Sequence, residues 1–150
     1  PEAVRRSCAL KASIVSADER ETAKEGGRAL LNFGHTLGHA VEKCAGYGRY
    51  AHGEAVAVGI AFAARLSEGL GTLSARDSAR ICALLEKFSL PVRVPRDLGA
   101  GDLVAAMRND KKSVGGSLRF VLLDGIGRSY TRALGEDFVG EALESQCSGA

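Results

Sequence analysis

Apolar and polar positions separate along this chain with a helical period over most of its length. From residue 28 to 44 the apolar residues Leu30, Phe33, Leu37, Ala40, Val41 and Cys44 form one stripe, as expected of a single amphipathic helix. The next run, Gly53 to Leu66, is apolar nearly all round and predicts a buried helix of about four turns. Residues near 2–15 read as a helix ending before Asp18-Glu-Arg-Glu21. Ser74 with Asp77 forms a capping pair for a helix running to Phe88, with Ile81, Leu84, Leu85 and Phe88 as its core face. Pro91 and Pro95 mark a connector, and Asp102 starts a short helix through Met107. Leu118–Leu123 is a β run, with Asp124, Gly125 and Gly127 as turn residues and Ser129–Ala133 returning. Glu136–Glu144 closes the chain as a helix with Phe138, Val139 and Leu143 inward. The expected fold is mainly α, one helical domain over 1–150, with a small β-hairpin near 118–133 that needs helices to pack on.

The polar side of the 28–44 stripe is unusual. Arg28, Asn32, His35 and His39 follow the offsets i, i+4, i+7 and i+11, so on one helix they fall within roughly 60° of each other. A solvated face carries Lys and Glu at i,i+4 spacing; this one carries a guanidinium, an amide and two imidazoles. Gly34 and Gly38 flank the stripe at a helix-interior cost of about 1 kcal/mol each, a cost that makes sense if another helix or a ligand approaches the backbone closely. The chain has three histidines, and the third, His52, stands at the start of the buried helix. There the positive end of the helix dipole favours the neutral imidazole that binds metals. A catalytic zinc normally takes three protein ligands and leaves the fourth position open. Glu42 and Glu54 are the nearby carboxylates available as a further ligand, and neither spacing is compelling.

Composition narrows the partners. Lys and Arg total 20 against 18 Asp and Glu, so no field suited to nucleic acid is implied. The buried run is too short and too rich in Gly and Ala to span a membrane. No stretch reads as a signal peptide or lipid anchor, and the expected location is the cytoplasm. Cys8, Cys44, Cys82 and Cys147 lack C-x-x-C spacing and are expected to be reduced and mostly packed.

The segment Arg28-Ala-Leu-Leu-Asn-Phe-Gly-His-Thr-Leu-Gly-His-Ala-Val-Glu42, followed by Gly46-Tyr-Gly48 and His52-Gly-Glu-Ala-Val-Ala-Val-Gly59, closely resembles the 3-dehydroquinate synthase family. The resemblance extends through Cys8–Val15, Ala17–Thr22, Leu90-Pro91, Asp110-Lys-Lys112 and Leu118–Leu123 with Ile126-Gly127. It implies the later part of a helical domain that, in the family, closes a cleft against an NAD-binding α/β domain. No Gly-rich dinucleotide loop opens a βαβ unit in this sequence. The chain is therefore expected to be a fragment of a larger enzyme, inactive alone, with the family's third zinc ligand, a glutamate, lying upstream.

Carried over by motif, His35 and His52 match the family's zinc-binding histidines. His39 matches a histidine beside the substrate, implicated in phosphate contact and proton transfer. Arg28 and Asn32 match residues holding the substrate's carboxylate and polar groups; Lys11, and one of Lys111 and Lys112, match substrate-binding lysines. One departure is that the stretch from Lys11 to Arg28, through Ala23-Lys-Glu-Gly-Gly27, is about three residues longer than the family pattern. The implied reaction converts 3-deoxy-D-arabino-heptulosonate 7-phosphate, a phosphorylated sugar acid, to 3-dehydroquinate and phosphate in the shikimate pathway. It uses NAD+ and zinc, or cobalt in the same donor set, within a homodimer. The alternatives are related cyclases that act on sedoheptulose 7-phosphate or make an inosose, and a noncatalytic metal-binding helical remnant.

Overall fold

A computed structural model describes residues 1–18, 27–46, 48–110 and 116–148. In chain order these form α1 (Glu2–Ala17), a 3₁₀ helix (Gly27–Asn32), α2 (His35–Ala45), α3 (His52–Gly69), α4 (Ala75–Lys87), α5 (Ala100–Asp110), β1 (Ser117–Gly125), β2 (Arg128–Gly135) and α6 (Glu136–Ser148). The mainly helical class with one hairpin is as the sequence predicts.

The central helix is α3, with Ala55, Val58, Phe62, Ala63 and Leu66 in the main core. Around it pack Leu37 and Val41 of α2, Leu103 and Met107 of α5, Leu118, Phe120 and Leu122 of β1, and Val139 and Leu143 of α6. The Phe62 and Phe120 rings lie 6.1 Å apart, within the range where aromatic pairs attract beyond their buried area. The antiparallel hairpin pairs Leu118 with Leu134 and Leu122 with Tyr130. It is held to the helices by side-chain hydrogen bonds. Ser67 Oγ, fully buried in α3, donates to Ala63 O at 2.7 Å and accepts from the Leu123 N–H at 3.0 Å. Thr36 and Thr72 hydroxyls donate to the carbonyls of Arg119 and Leu123. The packing that a two-stranded hairpin needs is supplied mainly by α3, with α6 and the 3₁₀ helix against its strands.

The structure corrects three sequence expectations. Residues 28–44 are not one helix: a 3₁₀ turn ends at Asn32, Gly34 takes a left-handed φ of 78°, and α2 starts at His35. The cause is contact with α3. A Cβ on Gly34 would stand 2.7 Å from Val56 O, and one on Gly59 would stand 1.9 Å from Gly34 O. Gly38 lies inside α2, where a Cβ would meet the Val56 Cα at 3.1 Å. The glycines serve the close approach of a helix, as their cost suggests, but Gly34 does so by breaking the helix, not from its interior.

The second correction concerns α4. Ser74 caps it as expected, accepting from the Asp77 N–H at 3.1 Å. Only half of the proposed core face buries, however: Ile81 packs against Ala64, Leu73 and Leu123 and Leu85 is half-buried, whereas Leu84 is 57% exposed and Phe88 70% exposed, and the fully buried residue of α4 is Ser78. The amphipathic period is real, but α4 lies at the edge of the fold and, among the described elements, packs mainly on α3. Phe138 is the third, 42% exposed while its neighbour Val139 is fully buried.

Candidate metal centre

The site grows from the junction of α2 and α3. His35 is the first residue of α2, His39 follows one turn later, and His52 is the first residue of α3. Because glycines let the two helices touch backbone to backbone, both helix starts converge. Ring centroids are 5.4 Å apart for His35–His39, 5.4 Å for His35–His52 and 5.9 Å for His39–His52. One ring nitrogen from each lies within 4.8 Å of the others.

The surroundings fix two of the rings. His35 Nδ1 lies 3.2 Å from Phe33 O, and His52 Nδ1 lies 3.1 Å and 3.3 Å from the two Glu42 carboxylate oxygens. A carbonyl and a carboxylate can only accept, so each Nδ1 carries the proton and the lone pair sits on Nε2. This is the arrangement of metal-ligating histidines, whose second nitrogen donates to an outer carboxylate or carbonyl. The donor set and its outer partners therefore fit a divalent metal of the zinc or cobalt type.

The start of α3 is itself well anchored. Glu54 accepts from the Ala51 N–H at 2.8 Å, the reach-back half of a capping box. Arg49, two residues earlier, makes a two-pronged ion pair with Asp97, with one N···O distance of 3.0 Å. That pair holds Asp97 below the usual carboxylate range.

Neither Glu42 nor Glu54 is a member of the three-histidine cluster. Glu42 is the outer partner of His52, and Glu54 a cap. Glu42 lies seven residues after His35, on the same side of the helix, so helical spacing alone could have suggested it.

Arg28 and Asn32 lie on the 3₁₀ helix before the break, Arg28 exposed and Asn32 half-buried, with the Arg28 N–H donating to Asp18 at 3.1 Å. They do not extend the α2 face as one continuous helix would require. Lys11 is exposed on α1, which lies against the 3₁₀ helix and buries none of its own side chains. Lys111 and Lys112 fall outside the described residues, as do 19–26, which hold most of the apparently lengthened stretch. Cys8 is an exposed free thiol, while Cys44 and Cys82 are free and half-buried; the side chain of Cys147 falls outside the description. Burial, aided by Asp102 at Cys44, pushes both half-buried thiols up, away from the reactive thiolate. Among the described residues no helix is long and apolar enough to cross a membrane.

Comparison with known proteins agrees with this geometry. A curated 3-dehydroquinate synthase from Opitutus terrae is 51% identical over 144 residues, 96% of this chain and 39% of that protein. The chain thus spans about two fifths of that relative's length. Among solved structures, a 2-deoxy-scyllo-inosose synthase complexed with carbaglucose-6-phosphate, NAD+ and Co2+ superposes with a TM-score of 0.76 at 25% identity, over 92% of this chain and 38% of that one. The 2-epi-5-epi-valiolone synthase of Streptomyces hygroscopicus subsp. jinggangensis 5008, with NAD+ and Zn2+ bound, shares the fold with a TM-score of 0.77 at 23% identity, over 95% of this chain and 38% of that one. Residues 1–113 match the family described as 3-dehydroquinate synthase C-terminal. With that match over most of its length, this chain belongs to the 3-dehydroquinate synthase C-terminal family.

Proposed function

We propose that this chain is the metal- and substrate-binding part of a 3-dehydroquinate synthase, an NAD- and zinc-dependent lyase. It converts 3-deoxy-D-arabino-heptulosonate 7-phosphate to 3-dehydroquinate and phosphate. The observation that carries the reading is the convergence of His35, His39 and His52 at the α2–α3 junction in a chain 51% identical to an enzyme of that name.

In this reading His35 and His52 hold the metal, with Phe33 O and Glu42 orienting them. When bound, zinc supplies Lewis acidity toward a carbinol oxygen, and NAD+ accepts and returns a hydride. The chain's own residues bind, orient and move protons. The His39 ring lies 5.4 Å and 5.9 Å, centroid to centroid, from those of His35 and His52, beside the metal position and suited to proton exchange at the substrate. Arg28 offers a fork for the substrate carboxylate and Asn32 a neutral hydrogen-bonding group. Lys11, with one of Lys111 and Lys112, provides point charges for phosphate. NAD+ is bound mainly by a separate α/β domain, in a cytoplasmic homodimer, as the family resemblance implies.

The inosose synthase likeness supports a second reading, a related sugar-phosphate cyclase, but at half the identity of the dehydroquinate synthase relative. The test is phosphate release from 3-deoxy-D-arabino-heptulosonate 7-phosphate by the full-length parent, with NAD+ and zinc supplied or withheld. Release that requires both and vanishes in His35→Ala is expected. No release by a folded, zinc-loaded parent would refute the substrate assignment and favour the related cyclases.

A further inference from the structure

We propose that the groove between α3, α4 and α6 is a binding site for a free α-amino acid with a large apolar side chain, taken up as the zwitterion. Nothing in the proposal rests on the activity proposed above.

The groove has a volume of about 900 Å³, toward the upper end of the roughly 300–1,000 Å³ usual for small-molecule sites. Its lining is mostly apolar, from Leu66 and Gly69 of α3, Ala75 and Ala79 of α4, and Phe138 and Ala142 of α6. Small residues on α4 keep it open, and the half-exposed Phe138 ring offers an apolar ligand a face to pack on. The groove is remote from the histidine junction. Arg65, on its rim, lies about 20 Å along α3 from His52 at 1.5 Å per residue.

The charges on the rim select the ligand. Arg65 is half-buried, and its Nη1 donates to two neutral oxygens, Val92 O at 2.6 Å and Gln146 Oε1 at 3.3 Å. A guanidinium has five N–H donors. Among the described residues, Nε and Nη2 meet no acceptor and no carboxylate pairs with Arg65. A half-buried cation of this kind is stabilised by a carboxylate that fits its fork. Glu68 is the i+3 neighbour of Arg65 on α3, and Glu141 lines the groove from α6. Among the described residues neither glutamate is hydrogen-bonded or ion-paired. Cys82 stands among these charges. Burial raises its thiol most, then Arg65 acts to lower it and Glu86 and Glu68 to raise it. The rim thus holds one cation and two anions that do not join each other. A simple carboxylate is repelled by the glutamates, and a simple amine by Arg65. A zwitterion sets its carboxylate on Arg65 and its ammonium toward Glu68 and Glu141, with its side chain on the apolar floor.

The test is calorimetric titration of the full-length parent with L-phenylalanine. The rate of Cys82 alkylation by iodoacetamide, read by peptide mass spectrometry, is the local reporter. We expect one L-phenylalanine per chain and slower alkylation of Cys82 at saturation. 3-Phenylpropionate lacks the ammonium and phenethylamine the carboxylate. Each should bind at least about 10-fold more weakly, the effect of losing one charged hydrogen bond. Ala79→Leu fills the groove from an exposed helical position and should abolish both binding and protection with unchanged circular dichroism. Arg65→Gln should weaken binding at least about 10-fold. If that variant fails to fold for want of its bonds to Val92 and Gln146, Ala79→Leu decides. No binding at about 10 mM L-phenylalanine, far above a useful affinity, overturns the proposal. So does binding that leaves Cys82 alkylation unchanged or survives Ala79→Leu. Binding of either analogue within about threefold of L-phenylalanine overturns it as well.

Discussion

Replacing Gly59 by alanine tests the contact on which the metal centre rests. A Cβ at this position would stand 1.9 Å from Gly34 O, 2.8 Å from Gly34 C and 3.1 Å from Gly34 Cα. A carbon and a carbonyl oxygen tolerate about 3.3 Å, so α2 and α3 must separate by roughly 1.4 Å. No side chain can turn aside, because every clashing atom is backbone. Overpacking costs about 1–3 kcal/mol and more where backbone must shift. Alanine in a helix interior returns about 1 kcal/mol. The net loss is about 2 kcal/mol or more, which for a chain of this size lowers Tm by about 4–8 °C. Gly140→Ala in α6 is the control, since its Cβ meets nothing within 4 Å. Helix propensity alone then gives up to about 1 kcal/mol of stabilisation. Both variants are compared with the parent chain by thermal and urea denaturation. His35 follows Gly34 directly, so Gly59→Ala should also spread the histidine cluster and weaken Co2+ binding. If Gly59→Ala melts with or above Gly140→Ala, the backbone-to-backbone contact does not hold α2 and α3 in register, and the reasoning fails.

Three further outcomes follow from named contacts. Ser67→Ala leaves the Leu123 N–H without its 3.0 Å acceptor inside the core, so urea denaturation should show a loss of about 1–3 kcal/mol; a neutral result would mean the hairpin is held by apolar packing alone. Glu42→Ala removes the acceptor for His52 Nδ1 and should weaken zinc binding about 10–100-fold in a chelator competition, with unchanged circular dichroism; unchanged affinity would deny Glu42 its orienting role. Glu136 is paired with Arg108, one N···O distance being 2.9 Å, and this pairing holds its carboxyl below the ordinary range. A depressed carboxylate stabilises the fold above the unfolded-state glutamate pKa and loses that contribution as pH falls through its own lower value. The advantage of the parent chain over Glu136→Gln should therefore be level near neutrality and vanish in acid, and an advantage that grows in acid would contradict the assignment.

Local pattern made most elements legible and misjudged where some of them sit. The run Gly53–Leu66 reads as buried because it has no polar face, and α3 is the centre of the core. The period of Ile81, Leu84, Leu85 and Phe88 specifies a helix equally well. Whether its apolar side finds a partner is a tertiary fact, and here Leu84 and Phe88 face outward. The histidine cluster was legible through residue type and spacing, since His35 and His39 are one turn apart and His52 opens the next helix. The tautomer-setting partners were only half legible. Glu42 sits at a helical spacing from His35, whereas the Phe33 carbonyl becomes available only because the chain departs from helix at Gly34.

That departure connects the fold to the chemistry. In one continuous helix the Phe33 carbonyl would accept from the Leu37 N–H, and His35 would have no backbone oxygen to meet. Gly34 adopts its left-handed conformation where α3 comes closest, and helical bonding begins one residue later, with the Gly38 N–H on Gly34 O at 3.0 Å. Phe33 O is thereby released from the ladder and takes the His35 Nδ1 proton at 3.2 Å. A steric demand between two helices thus fixes which nitrogen of His35 carries the lone pair. The glycine that costs the helix a turn also sets the tautomer that a metal requires. The periodicity that predicts one helix from Arg28 to Cys44 goes wrong at the residue where this happens, because a close backbone contact outweighs helix continuity there.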